Sequence, residues 1–250
     1  MKYENTPWLY PGWEISFSPE ELMSIDEVVE IIVNSVKTRT PLSLVRVGDG
    51  ELTVMSQNIC LSSEYLSNHI AWKTTDYCGV SLREDMLDQY KTRDRLIESV
   101  KTADLVGVYP RGIFTSKVFS AIHFKPSRLF FIFSNLNLCT RKSFVDLIIE
   151  SPPLLVGRLS EQFAGYIKET LGVQVPGYYT GQYGPNDIEK TIEFMASIPH
   201  DWSLVSSGVN ADLIAPIMAK QYGKVCVDYG QGVNVLLDPK YKGKYKFYGH

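Results

Sequence analysis

A doubly wound α/β architecture, a mostly parallel sheet with helices on both faces, is what this sequence predicts. Six short β-branched or aromatic runs recur along the chain, and longer segments with apolar residues at i, i+3 and i+4 separate them. The short runs are apolar almost without alternation, as strands covered on both faces must be. With 250 residues, 44% of them hydrophobic, the chain can bury a large core, and one domain spanning 1–250 is expected.

Taken in order, "SIDEVVEIIVNSVKT" (24–38) predicts a helix, with Ser24 and Glu27 spaced as a capping box. "LSLVRV" (42–47) is the first strand. A helical pattern over 83–102 precedes the strand "DLVGVY" (104–109), and "RLFFIF" (128–133) is the third strand. Helices over 140–151 and 159–172 flank the strand "PLLVG" (153–157), with Gly172 as a stop signal. A helix over 185–198, the strand "WSLVSS" (202–207), a helix over 210–223 and the strand "KVCVDY" (224–229) complete the alternation. Pro216 falls inside the 210–223 pattern, which must start late or kink there. Residues 1–23 read as an irregular N-terminal segment, 59–82 and 175–186 as loops, and 239–250 as a basic-aromatic tail, a solvated end or a contact for an anionic membrane surface.

Composition narrows the function. A formal charge of −3 gives no basic field to hold nucleic acid. The N-terminus has no apolar signal region and no apolar run reaches the roughly 20 residues that span a bilayer. The expectation is a cytoplasmic chain, peripheral at the inner membrane surface if the tail binds there. Cys60, Cys78, Cys139 and Cys226 are scattered without metal-site spacing and read as reduced thiols.

The chemistry concentrates after strands, because ligands of doubly wound sheets sit outside the strands' carboxyl ends. "RVGDGE" (46–51) follows the first strand. Read as an extended segment, it sends Asp49 and Glu51 the same way, with Gly48 and Gly50 letting the backbone approach a ligand. Two carboxylates there would repel a diphosphate unless Mg²⁺ or Mn²⁺ stood between. Arg46, at the end of a buried strand, must pair with an anion, either these carboxylates or a phosphate. A polar turn with an internal ion pair is the alternative.

After the fifth strand, the turn "SSGVN" offers Ser206, Ser207, Gly208 and Asn210 to a phosphate or nucleoside at a helix N-terminus, or as ordinary caps. After the sixth, Asp228 and Gln231 can meet ribose or sugar hydroxyls. Asp76, Glu64, Asp228 and Asp238 are loop carboxylates available as a base. His69 and His123 have no partner at a recognisable spacing. Tyr65, Trp72, Tyr77, Tyr178, Tyr179 and Tyr183 lie in irregular segments where rings can stack on a ligand.

The string "PLSLVRVGDGE", preceded by "SIDEVVEIIVNSVKTRT" and followed by "SLVSSGVNADLIAPIMAKQYGKVCVDYGQGVNVL", resembles the GT-D-type glycosyltransferases of bacterial surface glycan and glycoprotein assembly. The resemblance implies a Rossmann-like fold in which Asp49 and Glu51, framed by Arg46, Gly48 and Gly50, bind Mn²⁺ or Mg²⁺ and the diphosphate of a nucleoside-diphosphate sugar such as UDP-glucose. It implies transfer of the sugar to a glycan, glycoprotein or lipid-linked acceptor. Gln231 stands where the family pattern leads one to expect a histidine, which leaves the acid/base residue unassigned. A non-catalytic nucleotide-sugar-binding subunit and a metal-dependent phosphohydrolase or pyrophosphorylase are the alternatives.

Overall fold

The computed structural model describes residues 5–66, 68, 90–181, 187–241 and 244–250. In chain order its main elements are β1 (Leu22–Met23), α1 (Ile25–Thr38), β2 (Leu42–Arg46), α2 (Asp49–Ser56) and α3 (Tyr90–Thr102). Then come β3 (Leu105–Val108), α4 (Ile113–Ala121), β4 (Leu129–Phe131), a 3-10 segment (Ile132–Thr140), α5 (Lys142–Glu150), β5 (Leu154–Gly157) and α6 (Ser160–Leu171). The chain closes with β6 (Tyr178–Tyr179), α7 (Ile188–Ser197), β7 (Trp202–Ser206), α8 (Val209–Tyr222), β8 (Val225–Asp228) and α9 (Gly232–Leu237).

All six predicted strands are present, joined by the two-residue edge strands β1 and β6, in one parallel sheet of order β1-β4-β3-β2-β8-β7-β5-β6. The fold is Rossmann-like α/β. Strand side chains alternate between two cores, which is why neither face of the central strands carries a polar residue pattern. Val45, Val106, Val156, Val205 and Cys226 face one core with α2, α3, α4, α7 and α8. Leu44, Leu105, Leu155, Leu204 and Val227 face the other with α1, α5, α6 and α9.

Several elements differ from those the sequence predicts. Residues 49–56 are a helix, not an extended segment. The run 128–133 supplies only three strand residues before its backbone turns into the 3-10 segment. The helices α4 and α9 had no counterpart in the reading. The N-terminal segment is anchored, with Ile15 and Phe17 buried in the first core. In the tail, Phe247 is fully buried and stacks on Tyr166 and Phe163 at 5.4 and 6.4 Å, so this end is docked rather than solvated. The 83–89 part of the predicted third-element helix, with His69, Trp72, Asp76, Tyr77, Cys78 and Tyr183, lies outside the described residues.

Pro216 sits inside α8 without breaking it. A proline has no N–H to give to the carbonyl four residues back, here that of Asp212. Ser99 on α3 replaces the missing donor: its Oγ bonds the Asp212 carbonyl at 2.6 Å. This bond ties α3 to the helix that carries a buried site carboxylate. Ser99→Ala orphans that carbonyl and should cost about 1–3 kcal/mol, read from urea denaturation, with Ser99→Thr retaining most of the stability; equal midpoints for wild type and Ser99→Ala would refute the compensation.

Candidate functional site

Four of the sheet's central strands end beside one another, and the chain leaves them in opposite directions. From β2 it passes to α2 on the first face, and from the adjacent β8 to α9 on the second. A crevice between β2 and β8 results, the position at which doubly wound sheets bind their ligands.

Arg46 and Asp228, the last residues of these two strands, close the crevice floor. The Arg46 Nε and Nη2 atoms donate to the two carboxylate oxygens of Asp228 at 2.9 and 3.2 Å. The side chains are 12% and 3% exposed. This fork-to-fork geometry is what makes a buried arginine tolerable. Gly230 follows from it. Its φ is +44°, and a Cβ there would overlap the Arg46 guanidinium, so only glycine lets the loop after β8 pass over the pair.

Two more carboxylates lie in this ion pair's field. Asp212, in the first turn of α8 and fully buried, accepts the Arg46 backbone N–H through Oδ1 at 2.9 Å. Its Oδ2 is buried without a hydrogen-bond partner. Glu51, 7% exposed, accepts the Gly48 N–H through Oε2 at 2.9 Å and thereby caps α2. Three carboxylates against one guanidinium would leave a buried charge of −2, which a low-dielectric site does not hold unrelieved.

The carboxyls are correspondingly hard to ionise. Burial first, then the charges of Glu51 and Asp228, pushes Asp212 well above the ordinary range. Burial also pushes Glu51 up to about 7, with Asp228 adding to the rise and Arg46 and backbone N–H groups opposing it. Asp228 is raised by burial and held back by Arg46.

Asp49 is different. It opens α2, is half-buried, and its carboxyl is raised by desolvation. Its side chain makes no hydrogen bond or ion pair with another described side chain. On a helix, residues two apart are rotated by about 200°, so Asp49 and Glu51 diverge. The predicted convergence of the two carboxylates is thus replaced by a division: Glu51 is buried among the cluster and Asp49, at the start of α2, is half-buried outside it. Among the described residues no three His, Cys, Asp or Glu side chains form a preformed metal cage. The carboxylate outside the buried cluster, and so the one that could hold an oxygen-preferring cation, is that of Asp49.

The SSG turn borders the same crevice, since β7 lies next to β8. Gly208, with φ +56°, turns the chain into α8. The Ser206 and Ser207 hydroxyls are buried without hydrogen-bond partners, while Asn210 is nine-tenths buried in the first turn of α8. The 14-residue α8 points its N-terminus at this edge, with backbone N–H groups and partial positive charge suited to an anion. Gly50 is buried within α2 and Gln231 is exposed before α9.

The remaining predicted residues lie elsewhere. His123 packs edge-on to Tyr10 after α4 has carried the chain back from the carboxyl edge. Glu64 and Asp238 are exposed, Asp238 binding the Lys240 N–H. Tyr178 bonds Glu161 and Tyr179 stacks on Phe194, and Tyr65 packs against the first core. Cys60, Cys139 and Cys226 are buried free thiols, which burial makes harder to ionise. Sequence reasoning missed Asp212. Its signal was the one acid inside the largely apolar run "VNADLIAPIMA", where a buried charge requires a partner.

Fold and site together are those of a Rossmann-like parallel sheet with buried charged groups at its switch point. More particularly, the chain belongs to the GT-D fold-like domain family, whose model matches residues 23–236. Neither a comparison with curated proteins nor one with solved structures gives a match.

The Glu51 shift predicts a pH dependence. Its carboxyl loses its proton near 4.5 in an ordinary setting and near 7 when folded, so its contribution to stability is full below about 4.5 and is lost as pH rises through about 7. In chelator, wild type should lose melting temperature from pH 5 to pH 8. Glu51→Gln, which keeps an oxygen for the Gly48 N–H, should lose less and melt higher than wild type at pH 8. Parallel profiles for the two proteins would refute the shift.

Proposed function

We propose that this protein is a glycosyltransferase that moves a sugar from a nucleoside-diphosphate sugar, of the UDP-glucose type, to a hydroxyl of a bacterial surface glycan, glycoprotein or lipid-linked glycan. One observation carries the reading: in a chain of the GT-D-like family, Asp49, the Arg46–Asp228 pair, Asp212 and the SSG turn gather around the crevice between β2 and β8.

Each group has a task under this reading. The α8 N-terminus and the Ser206 and Ser207 hydroxyls receive the diphosphate. Asp49 holds Mn²⁺ or Mg²⁺ jointly with it, and Glu51 caps the helix that presents Asp49. Such an ion supplies Lewis-acid stabilisation of the departing diphosphate. Arg46, committed to Asp228, positions the two strand ends rather than the phosphates. Asp212, fully buried and bonded to the Arg46 backbone N–H, holds α8 against the end of β2 behind the crevice floor. Buried thiols suit a reducing compartment, which supports a cytoplasmic setting. No described helix is long and apolar enough to cross a membrane.

Binding without turnover is the second reading. It is favoured by the loop after β8, where Asp228 is locked on Arg46 and Gln231 occupies the position expected of a histidine. A nucleoside-diphosphate sugar bound only to the folded protein at a hundredfold excess over Kd stabilises it by about 2.7 kcal/mol, or about 5–10 °C for a chain of this size. We expect a UDP-sugar to give such a shift with Mn²⁺, smaller without it, and Asp49→Ala to lose the metal-dependent part. Release of UDP in the presence of acceptor supports transfer; a shift with no release supports the second reading. No shift with UDP-, GDP-, CMP- or dTDP-sugars would overturn both.

A further inference from the structure

Beside the crevice, at the carboxyl ends of β3 and β4, three aromatic side chains stand in contact with one another and with solvent. Tyr109, Phe131 and Phe133 are 38%, 40% and 41% exposed. Their ring centroids are 6.1 Å apart for Tyr109 and Phe131, 6.2 Å for Tyr109 and Phe133, and 5.5 Å for Phe131 and Phe133. Two of the three contacts are edge-to-face, at 81° and 74°, so the rings present faces in different directions instead of closing into a stack. The register explains the meeting: Val108 pairs with Phe131, and Tyr109 is the next residue.

Large rings gathered on the surface of a chain with a 44% hydrophobic composition are not needed to complete its core. These three are also continuous with the crevice. Ile132, between Phe131 and Phe133, is buried, and a methyl group at Gly48 would press on its Cδ1 at 3.2 Å. Gly48 precedes Asp49. The aromatic cluster and the proposed donor site therefore share a wall, with β3 lying next to β2.

We propose that Tyr109, Phe131 and Phe133 form the acceptor subsite, a platform for the apolar face of a saccharide ring. The inference rests on the glycosyltransferase reading and names the acceptor's chemistry. A pyranose is apolar on its C–H faces and polar around its rim, and an aromatic ring binds the first through dispersion and its quadrupole. Tyr109 carries a hydroxyl on the platform itself, and Arg111, two residues further on with φ +60°, is exposed. A lipid surface would call for a cluster of about 4–8 basic residues, and Arg111 is the cation the adjoining loop provides.

Saturation-transfer NMR tests this with methyl β-glucoside, methyl β-galactoside, methyl N-acetyl-β-glucosaminide and chitotriose as probes. At least one should receive saturation from wild type. Phe131→Ala with Phe133→Ala should weaken its binding roughly tenfold, and Phe131→Tyr, which keeps a ring, should restore it. Tyr222→Ala, an exposed ring at the far end of α8, should leave binding unchanged. In the same samples the UDP-sugar thermal shift should survive the double substitution. Loss of that shift would mean the rings hold the donor's base, and would overturn the acceptor assignment. So would unchanged saccharide binding, transfer of saturation to none of the probes, or loss of a dimer in the double variant by sedimentation. Failure of the glycosyltransferase reading looks different: wild type then gives no donor shift, or a shift with no release of UDP, whatever the rings do.

Discussion

The ion pair between Arg46 and Asp228 is the constraint around which this end of the sheet is arranged. It joins the last residues of two adjacent parallel strands at the one place where their continuations part to opposite faces. Removing either partner would strand a buried charge, at a cost of about 3–5 kcal/mol. The pair also fixes its surroundings. Gly230 must lack a side chain to pass the guanidinium, and Arg46 extends its backbone N–H to Asp212, bringing α8 against the end of β2. Ser99, by covering the carbonyl that Pro216 exposes, holds the helix in which Asp212 sits.

From this arrangement follows an imbalance of charge. One guanidinium cannot neutralise Asp228, Asp212 and Glu51 together, and burial raises the Asp212 carboxyl well above its ordinary range and that of Glu51 to about 7. A crevice floor of this kind keeps a buried carboxyl that is hard to ionise beside a charged pair, while Asp49 opens α2 outside that cluster. The same four-residue motif therefore performs two jobs. Its glutamate closes the helix inward, and its aspartate stays outside the buried cluster.

Much of this was legible in the sequence, for identifiable reasons. The six main strands announced themselves because central parallel strands are buried on both faces and must be apolar throughout, as "LSLVRV" and "KVCVDY" are. Helices α1, α6 and α7 have one face in water and so carry the i, i+3, i+4 pattern. Helix α2 does not: from Gly50 to Ser56 every residue is buried, no polar stripe exists, and its glycines read as a turn. The divergence of Asp49 and Glu51 was hidden for that reason. Arg46 was legible as a buried cation in need of an anion, but the choice of Asp228, 182 residues away, depends on strand order, which periodicity does not encode. The aromatic meeting of Tyr109 with Phe131 and Phe133 is invisible for the same reason, since it arises from the pairing of β3 with β4.

A crystal structure with UDP and Mn²⁺ tests the central claim most directly, because manganese reports its own position by anomalous scattering. The account predicts an anomalous peak in contact with the Asp49 carboxylate, and diphosphate density between it and the SSG turn in the crevice between β2 and β8. A well-defined nucleotide bound at another edge of the sheet, or a manganese peak away from Asp49, would contradict it.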